Sequence, residues 1–281
     1  MGRDSRVLVT GASGQVGRAL RYRLPEARYL SRADLDVTNP NAVLSTIQGA
    51  DVVIHLAAMT NVNGCEASPE LANEVNAEAT RSIALAAHKE DARVIFLSTD
   101  YVFDGARRRP YREEDECHPL NAYGISKLVG EKHVLAFPGN LVVRTSWIFG
   151  QGRNFVRSIL GAARERGRVT VVDDQVGRPT SAADLAPAIV ESMQERAVGL
   201  LHVSGDGPTC SWADLARAAL AAADIDATVE SVNTATYLAN AEGTVAPRPA
   251  YSVLSLAKAK KLGIPLRDWR SSLREYLRES S

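Results

Sequence analysis

Tyr123 and Lys127 stand four residues apart in Tyr123-Gly124-Ile125-Ser126-Lys127, a spacing that puts both on one face of a helix, one turn apart. Upstream, Arg93-Val94-Ile95-Phe96-Leu97 has the length and composition of a short buried strand. It ends on Ser98 and Thr99, ahead of Asp100-Tyr101-Val102-Phe103. A phenol, an ammonium one turn along and a hydroxyl at a strand's C-terminal edge form a proton-delivery set. Tyr123, Lys127 and Thr99 are therefore the candidate catalytic residues. The plain alternative is a chance coincidence of common residue types.

The chain before them supplies a frame that would hold such a set beside a ligand. Arg6-Val7-Leu8-Val9-Thr10 reads as a first strand, followed by Gly11-Ala12-Ser13-Gly14-Gln15-Val16-Gly17 and a helical stretch towards Leu24. This Gly-x-x-Gly-x-x-Gly spacing is a close variant of the dinucleotide fingerprint. Its glycines allow a tight turn and a close backbone approach to a pyrophosphate, and the helix start offers free N–H groups. Ordinary turns use glycine too, but the position between a first strand and a helix favours a cofactor. Gly11, Ser13, Gly14, Gln15, Val16 and Gly17 are its expected contacts.

The second strand, Ala27 to Leu30, ends on Ser31-Arg32, where the fingerprint usually carries an acid for the ribose 2′-hydroxyl. A hydroxyl and a guanidinium suit a 2′-phosphate instead, which favours NADP over NAD; a solvated loop arginine would read the same way. Asp36 and Val37 are placed to flank an adenine, within a segment, Asp34 to Pro40, expected to start the next helix. The third strand, Asp51 to Leu56, runs into Ala57-Ala58-Met59-Thr60. Small residues there let a cofactor lie over the sheet edge, so Ala57, Ala58 and Thr60 join the expected contacts, with Ser98 from the fourth strand. His55, alone in an apolar strand, reads as packed and hydrogen-bonded. Glu70 to Glu90 reads as one helix, in which polar residues are mostly exposed, yet Asn76 sits where it could face the sheet. Arg107 to Arg109, in the polar loop Asp104 to Pro119, read as a solvated charge run.

Leu141 to Ser146 is a further strand, leaving Trp147 beside the cleft. Strand and helix alternate throughout, which predicts an α/β fold with a doubly wound, Rossmann-like parallel sheet. Past Gly150, helices (Asn154 to Arg166, Ala182 to Ser192, Ser211 to Ala223 and the Arg-rich chain end) outnumber strands (Thr170 to Val172, Leu200 to Val203, Thr228 to Val232), and a loop runs from Thr236 to Pro249. Residues 1–150 are read as the cofactor-binding domain. Residues 151–281 are read as a smaller mixed α/β substrate-binding lobe, interleaved with the last strands of the sheet.

Composition narrows the function classes. With 281 residues and 45% hydrophobic content, a sizeable core is affordable in size, and 33 basic residues balance 33 acidic ones. No net field recruits nucleic acid or an anionic membrane, so neither is expected as a partner. Cys65, Cys117 and Cys210 lack disulfide or metal spacing, and no metal is expected. No signal peptide or long apolar run is seen, which points to a cytoplasmic protein. Monomer and homodimer both stay open.

Taken in order, Gly11-x-x-Gly14-x-x-Gly17, Ser98-Thr99-Asp100-Tyr101-Val102-Phe103 and Tyr123-x-x-x-Lys127 resemble an extended short-chain dehydrogenase/reductase. Ala57 to Val62, Pro119 to Gly124, Arg144-Thr145-Ser146-Trp147, Asp174 to Thr180 and Arg248-Pro249-x-Tyr251-Ser252 make the chain most similar to the dTDP-4-dehydrorhamnose reductase family, over nearly its whole length. It departs at Asn63, where that family commonly has Asp, and at Met59, a site often occupied by His.

The resemblance implies transfer of a hydride from NADPH, with NADH as the alternative, to the C4 ketone of a nucleotide-linked sugar. Tyr123 would protonate the resulting alkoxide. A free phenol has a pKa of about 10, and Lys127 is expected to stabilise the phenolate and lower that value. Thr99 would donate a hydrogen bond to the developing oxyanion. Val62, Tyr101 and Trp147, with Thr99 and Tyr123, are the expected substrate contacts, and Arg248 is the candidate grip on the diphosphate. Relatives reduce other dTDP-deoxysugars, and one, the regulatory β-subunit of methionine adenosyltransferase, keeps the fold as a binding partner. Asp100 followed by Tyr101 lacks the Asp-Glu pair a dehydratase would need.

Overall fold

The computed structural model describes residues 6–241 and 243–279. Short β-branched and aliphatic runs become strands buried on both faces, the pattern of a parallel sheet covered by helices on each side. In chain order the first half holds β1 (Val7–Thr10), α1 (Gln15–Leu20), β2 (Arg28–Leu30), α2 (Pro40–Ile47), β3 (Val52–His55), α3 (Val62–Ala67), α4 (Pro69–Asn73), α5 (Ala79–Lys89), β4 (Arg93–Thr99), α6 (Ala122–Leu135) and β5 (Leu141–Thr145). The second half holds β6 (Ile148–Phe149), α7 (Phe155–Arg166), β7 (Arg168–Val172), β8 (Val176–Gly177), β9 (Thr180–Ser181), α8 (Ala182–Gln194), β10 (Gly199–His202), β11 (Cys210–Ser211), α9 (Trp212–Ala222), β12 (Thr228–Val232), α10 (Thr234–Ala239), α11 (Ala257–Lys261) and α12 (Trp269–Glu279).

Six strands form one parallel sheet in the order β2-β1-β3-β4-β5-β10. The chain reverses direction of travel across the sheet between β1 and β3, and open α/β sheets bind ligands in the crevice outside such a switch point. Alternate residues feed two cores. Val7, Val9, Ile54, Ile95 and Val143 meet α1 and α8 on one face, while Leu8, Val53, Val94, Phe96 and Val142 meet helices α2, α5 and α6 on the other. A third core joins α7, β7, α9 and α12 through Val156, Leu160, Val171, Leu215, Leu220 and Leu273. Among the described residues no helix is long and apolar enough to cross a membrane.

Three segments differ from their sequence reading. The segment opening at Asp34 is not helical, because its acids close tight turns instead: Ser31 N and Oγ donate to Asp34, and Thr38 N and Oγ1 donate to Asp36. α2 begins at Pro40, with Asn39 as its cap accepting from Asn41 N and Ala42 N. The stretch from Glu70 to Glu90 does stay helical but widens into a π turn at Glu74–Glu78. There the buried Asn76 side chain accepts from Met59 N (2.8 Å) and donates to Met59 O and Ser126 Oγ (3.0 Å each), tying β3's exit to α6. Finally, Asn233 caps a short helix, α10, which runs into the start of the expected loop.

Candidate active site

The candidate trio of Thr99, Tyr123 and Lys127 is held by a helix cap on one side and a strand end on the other. Asn121 accepts from Gly124 N (2.8 Å) and donates to Pro247 O (2.8 Å), and Ala122 N donates to Glu66 (2.9 Å), which fixes the first turn of α6 where Tyr123 stands. β4 ends at Thr99, whose hydroxyl caps a 3₁₀ turn at Asp100–Val102 by accepting from Tyr101 N at 3.2 Å. That hydroxyl also faces the Tyr123 phenol and favours its ionised form. The Tyr101 ring meets Tyr123 edge-on, centroids 6.1 Å apart. Lys127 is buried, its ammonium 3.9 Å above the centre of the Phe96 ring.

Electrostatics correct one expectation. Burial raises the Tyr123 phenol above its ordinary value, opposed by the Thr99 hydrogen bond and reinforced by Asp100 and Cys65 nearby. Lys127 is pushed down to about 7 by the same desolvation, with Glu131 on the next turn working against it. In this dry pocket the loss of water sets the direction of both shifts. Tyr123 is thus held as a neutral phenol, the form a proton donor needs.

A cavity of about 320 Å³ opens over these groups at the C-terminal ends of β3, β4 and β5. Of the expected residues, Gln15, Ala58, Thr60, Val62, Ser98, Thr99, Tyr101, Tyr123, Lys127 and Trp147 line it. Gly11 sits behind: φ is +68°, and a Cβ there would lie 2.6 Å from Ala57 N, so the glycine turn and the exit of β3 are in direct contact. Gly17 packs the same way, its missing Cβ 2.7 Å from Gly11 O. Ser13 and Gly14 are exposed on that turn, and the α1 start has no side-chain cap. Val16 and Val37 turn into the two cores, leaving only their backbone for a ligand. At the β2 end Arg32 is exposed, while Ser31 and Asp36 are engaged in the turns described above.

Arg248 does not line the cavity. It reaches its rim, donating to Asn63 Oδ1 (2.8 Å) and Ala246 O (2.9 Å) and hydrogen-bonding Tyr101. His55 is packed as expected, bonded to Thr10 Oγ1 (2.7 Å) and Thr80 Oγ1 (3.1 Å).

The sequence reading missed several lining residues. Trp212 stacks on Trp147 at 3.6 Å, nearly parallel, and Phe155 and Leu215 complete that apolar wall. Trp147 itself has φ +47°, a left-handed backbone uncommon for a bulky residue. Thr180 N donates to its carbonyl and Ser146 Oγ donates to Arg178 O, which clamp the turn. Gly177 leaves the space its ring fills. No spacing in the sequence announces Trp212; only tertiary packing brings it to Trp147. Asp100, by contrast, carried a signal, being next to Thr99.

The polar groups of the cavity fit the hydroxyls of a dinucleotide and a polar substrate. Five buried side-chain polar atoms lack a partner among the described residues, and three of them, Gln15 Oε1, Asp100 Oδ2 and Thr145 Oγ1, belong to residues lining this one cavity. Buried polar atoms are ordinarily satisfied, so such a concentration marks a place where a ligand completes the bonding. Among the described residues no group of three or more His, Cys, Asp or Glu is gathered to hold a metal ion.

The family described as RmlD substrate binding domain matches residues 5–281. A dTDP-4-dehydrorhamnose reductase of Mycobacterium tuberculosis is 40% identical, covering 97% of this chain and 92% of that protein. A probable dTDP-4,6-dihydroxy-2-methyloxan-3-one 4-ketoreductase of Streptomyces antibioticus is also 40% identical, over 96% of this chain and 94% of its own. The crystal structure of dTDP-4-dehydrorhamnose reductase from Bacillus anthracis in complex with NADP superposes with a TM-score of 0.93 at 34% identity, covering 99% of this chain and 100% of that one. With its parallel sheet, its glycine turn and its Thr-Tyr-Lys cavity, the chain belongs to the dTDP-4-dehydrorhamnose reductase family.

Proposed function

We propose that the protein is an NADPH-dependent nucleotide-sugar 4-ketoreductase that converts dTDP-4-dehydro-6-deoxy-L-mannose to dTDP-L-rhamnose. The observation that carries this reading is the meeting of Thr99, Tyr123 and Lys127 in one cavity beside the glycine turn. The relatives named above lend the substrate class.

Gly11, Ser13, Gly14, Gln15, Ala57, Ala58, Thr60 and Ser98 would hold the dinucleotide along the sheet edge, with Ser31 and Arg32 at its 2′-phosphate. When bound, the reduced nicotinamide supplies the hydride. As charge gathers on the ketone oxygen, Tyr123 passes its proton to that oxygen, while Thr99 donates a second hydrogen bond to it. Lys127, in its ammonium form, stabilises the phenolate left behind. Val62, Tyr101 and the Trp147–Trp212 stack orient the sugar nucleotide, and Arg248 holds its diphosphate from the rim.

Purified protein mixed with the 4-keto substrate and NADPH is expected to oxidise the cofactor and form dTDP-L-rhamnose, faster than with NADH. Turnover confined to another dTDP 4-keto-deoxysugar would favour the second reading, a natural-product ketoreductase like the Streptomyces relative. A purely regulatory NADP-binding subunit is disfavoured because it has no use for an intact proton donor.

A further inference from the structure

Thr99 Oγ1 has three polar neighbours and one proton. Tyr101 N–H donates to it at 3.2 Å, Asp100 Oδ1 lies 3.1 Å away, and the Tyr123 hydroxyl is the third. A threonine hydroxyl offers one donor and two acceptor lone pairs, and the Tyr101 amide takes one of those lone pairs. If Asp100 is a carboxylate it can only accept, and it takes the Thr99 proton. If Asp100 is a carboxylic acid, its O–H fills the second lone pair and the Thr99 proton is released towards the cavity. The two arrangements are exclusive, and only the second lets Thr99 serve a reacting oxygen.

The surroundings of Asp100 favour the acid. It is 2% exposed, it lines the cavity, and its Oδ2 has no partner among the described residues. A buried carboxylate with one oxygen left unpartnered is costly in such a place. Its charge acts on Tyr101 of its own turn and on Tyr123 of α6, Lys127 of α6 lines the same cavity, and on the C-terminal segment Ser252 acts on its carboxyl while Arg248 reaches Tyr101. Burial pushes the carboxyl up to about 7, with the Ser252 and Thr99 hydrogen bonds pulling the other way.

We propose that Asp100 is a positioning residue for the reduction, a neutral acid whose O–H turns the Thr99 hydroxyl towards the substrate oxygen. This rests on the ketoreductase reading above. The sign follows directly: a group with a raised pKa keeps its proton below that value, so the active arrangement is present at lower pH and lost as pH rises through about 7.

The test compares turnover of wild type and Asp100→Asn at saturating NADPH, from well below to well above about pH 7. An asparagine amide donates to Thr99 at every pH. The variant is expected to keep NADPH binding and a measurable rate at low pH, and the ratio of variant to wild-type rate is expected to climb by roughly tenfold per pH unit on the alkaline side, as for loss of one essential proton. The ratio cancels every titration the two proteins share, that of Lys127 included. A flat ratio overturns the proposal, and so does a folded, NADPH-binding variant that is inactive at all pH. Ser252→Ala gives a second handle, since removing a hydrogen bond to the carboxylate is expected to move the wild-type alkaline limb upward; an unmoved limb overturns the idea even if Asp100→Asn does not fold. Infrared pH-difference spectra of wild type and Ser252→Ala, without substrate, are expected to show a protonated carboxyl titrating at a higher pH in the variant. Its absence defeats the proposal independently, whereas failure of wild type to reduce any dTDP 4-keto sugar defeats the functional reading alone.

Discussion

A tyrosine that gives up a proton at neutral pH needs to be protonated beforehand and stabilised afterwards. Burial secures the first for Tyr123, and in the proposed mechanism Lys127 would provide the second. Replacing Tyr123 with Phe removes the donated proton while keeping the ring against Tyr101. Steady-state rates are expected to drop by about two orders of magnitude or more, within the range of general acid catalysis, with NADPH affinity by fluorescence titration unchanged; a near wild-type rate rules the role out. These two residues were legible because four-residue spacing on a helix is a local property. The direction of the phenol's shift was not, since it depends on how many distant segments exclude water. Asp100 was visible as the neighbour of Thr99, but its surroundings were hidden for the same reason: Ser252 and Tyr123 come to it from remote parts of the chain.

α6 is anchored as firmly as its chemistry requires. Glu131, one turn beyond Lys127, accepts from Ser98 Oγ (2.5 Å), Arg144 Nε (2.9 Å) and Arg144 Nη2 (2.6 Å), joining the helix to β4 and β5. Both charged partners are 2% exposed. Arg144→Leu leaves an uncompensated buried carboxylate and is expected to cost roughly 3–5 kcal/mol in urea unfolding. Adding Glu131→Leu is expected to recover much of that loss; an additive double variant would show that the two side chains do not act as a pair. Most element positions were readable from apolar periodicity and caps such as Asn154, which accepts from Arg157 N. The π turn at Asn76 and the non-helical run after Asp34 were not. Each is decided by a polar side chain choosing a partner, Met59 and Ser126 in one case, Ser31 in the other, rather than by propensity.

At the scale of the molecule, the sheet edge faces the third core across the cavity, and the Trp147–Trp212 stack forms the far wall. Trp212→Ala is expected to raise KM for the sugar nucleotide up to about tenfold, in line with aromatic stacking worth ~0.5–1.5 kcal/mol beyond burial. The NADPH dissociation constant, read on the sheet side, is expected to stay put; an equal loss of both would mean the lobe had simply come apart. The parallel sheet was legible from strand–helix alternation, but not which late segments would close it. One face of the sheet is covered by α1, by Leu185, Ile189 and Met193 of α8, and by Ala259 and Ile264 near the end, with Leu201 of the edge strand beside them. During synthesis on the ribosome, then, Val9, Ile54, Ile95 and Val143 stay without much of their cover until the last part of the chain has emerged. A nascent chain stalled after residue 150 would present a greasy slab rather than a finished half-molecule, and would be a natural client for chaperones.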